Sequence, residues 1–109
     1  MKSKLKIILF ALPGFGNTVL KSLLLLENVE IISVYTEKYD NPFPYYSELS
    51  LTDLCLRNNV VCYHNVNVNS ETIINRLQKE MPDLVIVATF RQILKREILG
   101  IPVKGLINI

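Results

Sequence analysis

Residues 82–94 read Pro82-Asp83, then Leu84-Val85-Ile86-Val87-Ala88, then Thr89-Phe90-Arg91-Gln92-Ile93-Leu94, and a later segment reads Gly105-Leu106-Ile107-Asn108. A run of five apolar residues, three of them β-branched, bounded by a proline and a polar turn, has the pattern of a strand covered on both faces in a parallel sheet. Such a strand lies mid-sheet. The polar residues that follow it emerge at its carboxyl end, where open α/β sheets place their ligands. Phe90 to Leu94 are therefore the first candidates for a binding site.

Working outward, Lys6 to Ala11 is a second apolar run, closed by Pro13-Gly14, and is read as the first strand. The turn Leu12 to Gly16 leads into a helix with Val19, Leu20, Leu23 and Leu24 on one side, capped by Gly16 or Asn17 and stopped near Asn28. Ile31 to Tyr35 is the second strand. Thr36 to Ser50 is polar and aromatic with Pro42 and Pro44, and reads as a long surface loop. Ser50 and Asp53 have the spacing of a capping box for a short helix that Asn58-Asn59 ends, and Val60 to Tyr63 is the third strand. Asn69 or Ser70 caps the next helix, with Ile73, Ile74, Leu77 and Met81 lining its inner side until Pro82 stops it. A helical turn at Lys95 to Leu99 precedes a fifth strand from Gly105 to Ile109. The alternation predicts an α/β fold: a Rossmann-like, doubly wound parallel sheet in three α/β/α layers with strand order 3-2-1-4-5. That order puts the Leu12–Gly16 turn, the Thr89–Leu94 turn and Asn108 on one rim.

The chain has 109 residues, 50% hydrophobic and 20% charged, with a net charge of +2, which fits one domain with helices on both sheet faces and argues against disorder. Its charge is too mild and too scattered for a nucleic-acid surface, Lys2, Lys4 and Lys6 being the only near-run. No small-residue cleavage site follows those lysines and no segment reaches membrane-spanning length, so a cytoplasmic protein without membrane contact is expected. Cys55, Cys62 and His64 do not make up a zinc ligand set; free thiols and no metal are expected. His64 reads as structural or surface-exposed.

Gly14-Phe15-Gly16, with Glu37 further on, is a dinucleotide fingerprint lacking its third small residue, since Val19 stands there. A nucleotide- or NAD(P)-binding module without catalysis is thus an alternative, and a tight turn that needs glycine is the simpler reading. Asn108 is either a strand-end residue bonding to backbone or an amide on the rim able to donate to a developing oxyanion.

The segments Pro82 to Ala88, Gln92-Ile93-Leu94, Ile98-Leu99 and Gly105-Leu106-Ile107-Asn108, with Pro13-Gly14-Phe15 near the start, resemble the amino-terminal half of the folate-dependent formyltransferase domain. The resemblance implies that residues 1–109 are the amino-terminal part of a single formyltransferase domain, incomplete at the carboxy terminus. A catalytic histidine would come directly after Ile109, then Pro-Ser-Leu-Leu-Pro, and an essential aspartate later. It implies formyl transfer from 10-formyltetrahydrofolate to a primary amine, with Asn108 as the family's catalytic asparagine and Phe90, Arg91, Gln92, Ile93 and Leu94 holding the donor. The 109 residues alone are then expected to show no turnover. The segment Glu37 to Tyr46 has one lysine and no glycine, unlike the basic loop of methionyl-tRNA formyltransferases. This favours a small acceptor such as a nucleotide-linked amino sugar, with tRNA as the alternative, and leaves assembly into a homo-oligomer open.

Overall fold

The computed structural model describes residues 4–37 and 50–109; the segment from Lys38 to Tyr46 used above to judge the acceptor lies outside them. The elements are β1 (Leu5–Ala11), α1 (Phe15–Leu24), β2 (Val29–Thr36), α2 (Leu51–Arg57), β3 (Val61–His64), α3 (Glu71–Glu80), β4 (Leu84–Ala88), α4 (Arg96–Leu99) and β5 (Leu106–Asn108). All strand pairs are parallel, in the order β3-β2-β1-β4-β5, as expected. No described helix is long and apolar enough to cross a membrane.

β4 throughout, and β1 from Ile7 onward, are apolar because each has a strand on both sides and helices above and below. One face of the sheet packs Ile7, Leu9, Ile86 and Ala88 against Leu20 of α1 and Leu51, Leu54 and Cys55 of α2. The other packs Ile8, Phe10, Val85 and Val87 against Ile73 and Leu77 of α3 and Ile98 of α4. Helix α1 comes unusually close to β1: a Cβ on Gly16 would lie 2.8 Å from Ala11 Cβ. Gly16 thus supplies the close strand–helix approach that Val19 could not, which explains why the fingerprint looks shifted.

In β2 an extra residue sits at Ile32, since β1 pairing passes from Ile7–Ile31 to Ile8–Ser33. This bulge brings Tyr35 level with Phe10. The register then carries one row across the sheet: Tyr63 beside Tyr35, Tyr35 beside Phe10, Phe10 beside Val87, and Val87 beside Asn108. Tyr63 and Tyr35 stack at 5.0 Å, and Tyr35 meets Phe10 edge-on at 5.1 Å.

Several boundaries differ from the sequence reading for physical reasons. The cap of α1 is Gly14, at φ +96°, rather than Gly16 or Asn17; Asn17 instead accepts the Gly14 N–H at 3.3 Å, and the helix ends at Leu24, short of Asn28. Ser50 caps α2 by accepting from Asp53 N–H, as expected, and Ser70 rather than Asn69 caps α3. Met81 is not core but 65% exposed: it ends α3 as a left-handed cap at φ 48°, its N–H donating to Leu77 O, with Pro82 directly after it.

Glu80 ends α3 half-buried, where the Tyr35 phenol donates to its carboxylate at 3.4 Å. Burial raises the Glu80 pKa above the usual 4.5, although Ser33, Tyr35 and Arg76 pull the other way. The buried Ser33 hydroxyl is near Glu80 without reaching hydrogen-bond geometry with any described group. Burial, then the nearby Glu80 charge, also raises the Tyr35 pKa beyond the usual phenol range. Above pH 4.5 the folded chain holds the Glu80 proton that the unfolded chain has lost, so stability falls as pH rises through that interval. Glu80→Gln is expected to flatten this part of the profile; urea midpoints from pH 4.5 to neutrality that keep the wild-type slope would disprove it.

Candidate active site

The crevice opens at the carboxyl ends of β1 and β4, where the chain leaves in opposite directions, α1 to one face and α4 to the other. Its two lips are the 12–16 turn and the 89–94 turn, joined at the base where Leu12 N–H donates to Ala88 O at 3.4 Å. β4 ends abruptly. Thr89 stands at φ 51°, a conformation a β-branched residue adopts at a cost of about 1–3 kcal/mol and one that gathers at functional turns. Its hydroxyl donates to Ala88 O at 2.6 Å. Sequence reading passed over Thr89, because nothing in residue type announces left-handed backbone at a threonine.

The five residues singled out after β4 divide by orientation. Phe90 stacks on Phe10 at 5.4 Å and Leu94 packs on the same core, so both form the floor of the loop. Gln92 is a clamp: its Oε1 accepts from Val68 N–H at 3.0 Å, while Nε2 donates to Val66 O at 2.8 Å and to Glu37 Oε1 at 3.2 Å. Arg91 and Ile93 face solvent, Ile93 at 85% exposure. A second clamp, missed in the sequence, is Asn69, which donates to Ile93 O at 2.7 Å and accepts from Lys95 N–H at 2.9 Å. Asparagine before a serine cap read as a cap candidate, and only the fold shows it reaching across to the other loop.

These bonds fix the loop while leaving part of its backbone available. The backbone groups of Phe90, Arg91, Gln92 and Leu94 have no hydrogen-bond partner among the described residues. Gln92→Ala would strand the Val68 N–H and the Val66 carbonyl. A stability loss of about 1–3 kcal/mol is expected, with faster hydrogen exchange at the Val68 amide as the local check. Exchange at Val68 unchanged from wild type would refute the clamp.

Asn108 sits at the same end of the sheet. It pairs with Val87, and the next residue, Ile109, donates its N–H to Val87 O at 2.8 Å. Since residues paired across parallel strands share a face, Asn108 lies on the face of Val87 and Phe10, which Phe90 covers one step further along. The side chain is exposed and bonds to none of the described residues. Glu37, the residue a dinucleotide would need for its ribose, is half-buried and already holds Gln92. His64 is exposed at the end of β3, on the edge of the sheet opposite β5.

No protein-family model matches the chain. It is similar to methionyl-tRNA formyltransferases: 32% identical over 108 residues to that of Clostridioides difficile, covering 96% of this chain and 34% of the relative. The corresponding protein of Dehalococcoides mccartyi is 33% identical over 110 residues, covering 98% of this chain and 35% of its own length. Among solved structures, phosphoribosylglycinamide formyltransferase from Streptococcus pneumoniae superposes with a TM-score of 0.62 at 18% identity, covering 94% of this chain and 54% of that one. Glycinamide ribonucleotide transformylase 1 from Symbiobacterium toebii gives 0.63 at 16%, covering 96% and 50%. The chain thus spans about a third of the length of the sequence relatives and half that of the structural ones. The resemblance to the folate-dependent formyltransferase family, and the Rossmann-like fold expected from the alternation of strands and helices, are borne out.

Proposed function

We propose that residues 1–109 are the amino-terminal, donor-holding part of a formyltransferase domain that moves a formyl group from 10-formyltetrahydrofolate to a primary amine in a cytoplasmic enzyme. The observation that carries this reading is the clamped 89–94 loop, whose unpaired backbone groups lie at the same end of the sheet as Asn108. A pteridine ring has an edge of alternating donors and acceptors, which such backbone groups can match, and a flat face suited to an apolar floor. Arg91, exposed on the same loop, suits the carboxylates of a folate tail.

The donor supplies an activated formyl carbon. As the acceptor nitrogen adds to it, negative charge gathers on the formyl oxygen, and Asn108 Nδ2 donates a hydrogen bond to that oxygen. The attacking amine must also lose a proton, and His64, exposed on the far edge of the sheet, is not placed to take it. The 109 residues by themselves are proposed to bind the donor without turning it over.

For the acceptor, the single lysine and absent glycine of residues 37–46 favour a small amine of the nucleotide-linked amino-sugar type. The names of the sequence relatives favour methionyl-tRNA as a second reading. Titrating the 109-residue chain with 10-formyltetrahydrofolate and with NADH, followed by tyrosine fluorescence, should show saturation by the folate alone; saturation by NADH alone would overturn the proposal. Formyl transfer by the natural protein containing these residues, tested on both amines, then decides the acceptor.

A further inference from the structure

We propose that Cys55 and Cys62 are an exchangeable dithiol, which a low-molecular-weight disulfide converts into an intramolecular disulfide bridging α2 and β3. This inference does not depend on the formyl-transfer reading. Both thiols are free. Cys55 is buried on the inner face of α2, and the chain reverses directly after it: Asn58 caps the helix, Asn59 takes φ 57°, and Val60 N–H donates back to Cys55 O at 2.9 Å. β3 then returns Cys62, paired with Val34, against the same core cluster that contains Cys55. The neighbouring Cys62 sulfur and burial raise the Cys55 pKa, while Cys55 lowers that of Cys62.

Access separates the two. Cys62 lines a surface cavity of about 310 Å³ together with Thr52, Asp53, Leu56, Val60 and His64, whereas Cys55 lies fully buried beneath. Cys62, the more acidic thiol, is therefore the one that meets the reagent. Its thiolate attacks one sulfur of the small disulfide, forming a mixed disulfide and expelling one thiolate. Cys55 then gives its proton to water or to the departing thiolate and attacks Cys62 Sγ, expelling the second. Two protein thiols are oxidised and one small disulfide is reduced to two thiols.

The test treats the folded protein with oxidised glutathione, blocks residual thiols with iodoacetamide and maps the peptides by mass spectrometry. The expected product is a Cys55–Cys62 cross-linked peptide with no alkylation at either residue. Cys55→Ala, which keeps an apolar group in the core, should stop at a glutathione adduct on Cys62. Cys62→Ala should slow reaction of the remaining thiol by about tenfold or more. A lasting glutathione adduct on Cys62 of the unaltered protein, or a cross-link formed only in urea, would overturn the proposal.

Discussion

Alanine at position 108 is expected to lower kcat for formyl transfer by about 10²–10³-fold in the natural enzyme containing these residues, the loss seen when one oxyanion donor is removed elsewhere. The Asn108 side chain bonds to none of the described residues, so its removal leaves no orphaned partner behind, and the unfolding midpoint should hardly move. KM for the donor should change little too, because the bond strengthens only as charge reaches the formyl oxygen. This split is what distinguishes the proposed role from a strand-end amide that merely shapes β5. An N108A enzyme with wild-type kcat, or one whose deficit lies entirely in KM, would remove Asn108 from the chemistry.

Phe10→Ala should be the most destabilising single change, by about 3–5 kcal/mol, a large part of the stability of a domain this size. Phe10 is fully buried and touches Tyr35 on one flank and Phe90 on the other. Its loss opens a hole under the loop as well as in the core. Donor binding should weaken more than the stability loss alone explains, and Phe10→Leu, which refills most of the volume, should recover much of both. Urea unfolding paired with folate titration checks this. If F10A binds folate as tightly as wild type at temperatures where it remains folded, the aromatic floor has no part in the site.

Why the sheet order could be read from the chain and the clamps could not follows from how far each signal reaches. The apolar runs at Lys6–Ala11 and Leu84–Ala88 mark central strands locally, and Ser50 with Asp53 marks a helix start within four residues. Gln92 meets Val66 and Val68 only after β3, α3 and β4 have been laid down, and Asn69 reaches Ile93 in the same way. Nothing near Gln92 in sequence distinguishes a clamp from a ligand-facing amide. Met81 failed for a different reason: helical spacing placed it on the inner side, but it is the left-handed cap where α3 ends, so the helical spacing no longer applies to it. The bulge at Ile32, which sets Tyr35 level with Phe10, is likewise silent in a run of β-branched residues.

The position of β1 between β2 and β4 bears on how the protein is made. A ribosome delivers β1 and β2 early, yet the other flank of β1 stays bare until β4 has emerged. Until then the growing polypeptide exposes an apolar strand edge, a natural target for chaperones and for misassociation. Because pairings between distant parts of a chain form slowly, maturation should wait on the arrival of Leu84 to Ala88, and substitutions there should lower yield in cells before they alter the finished molecule.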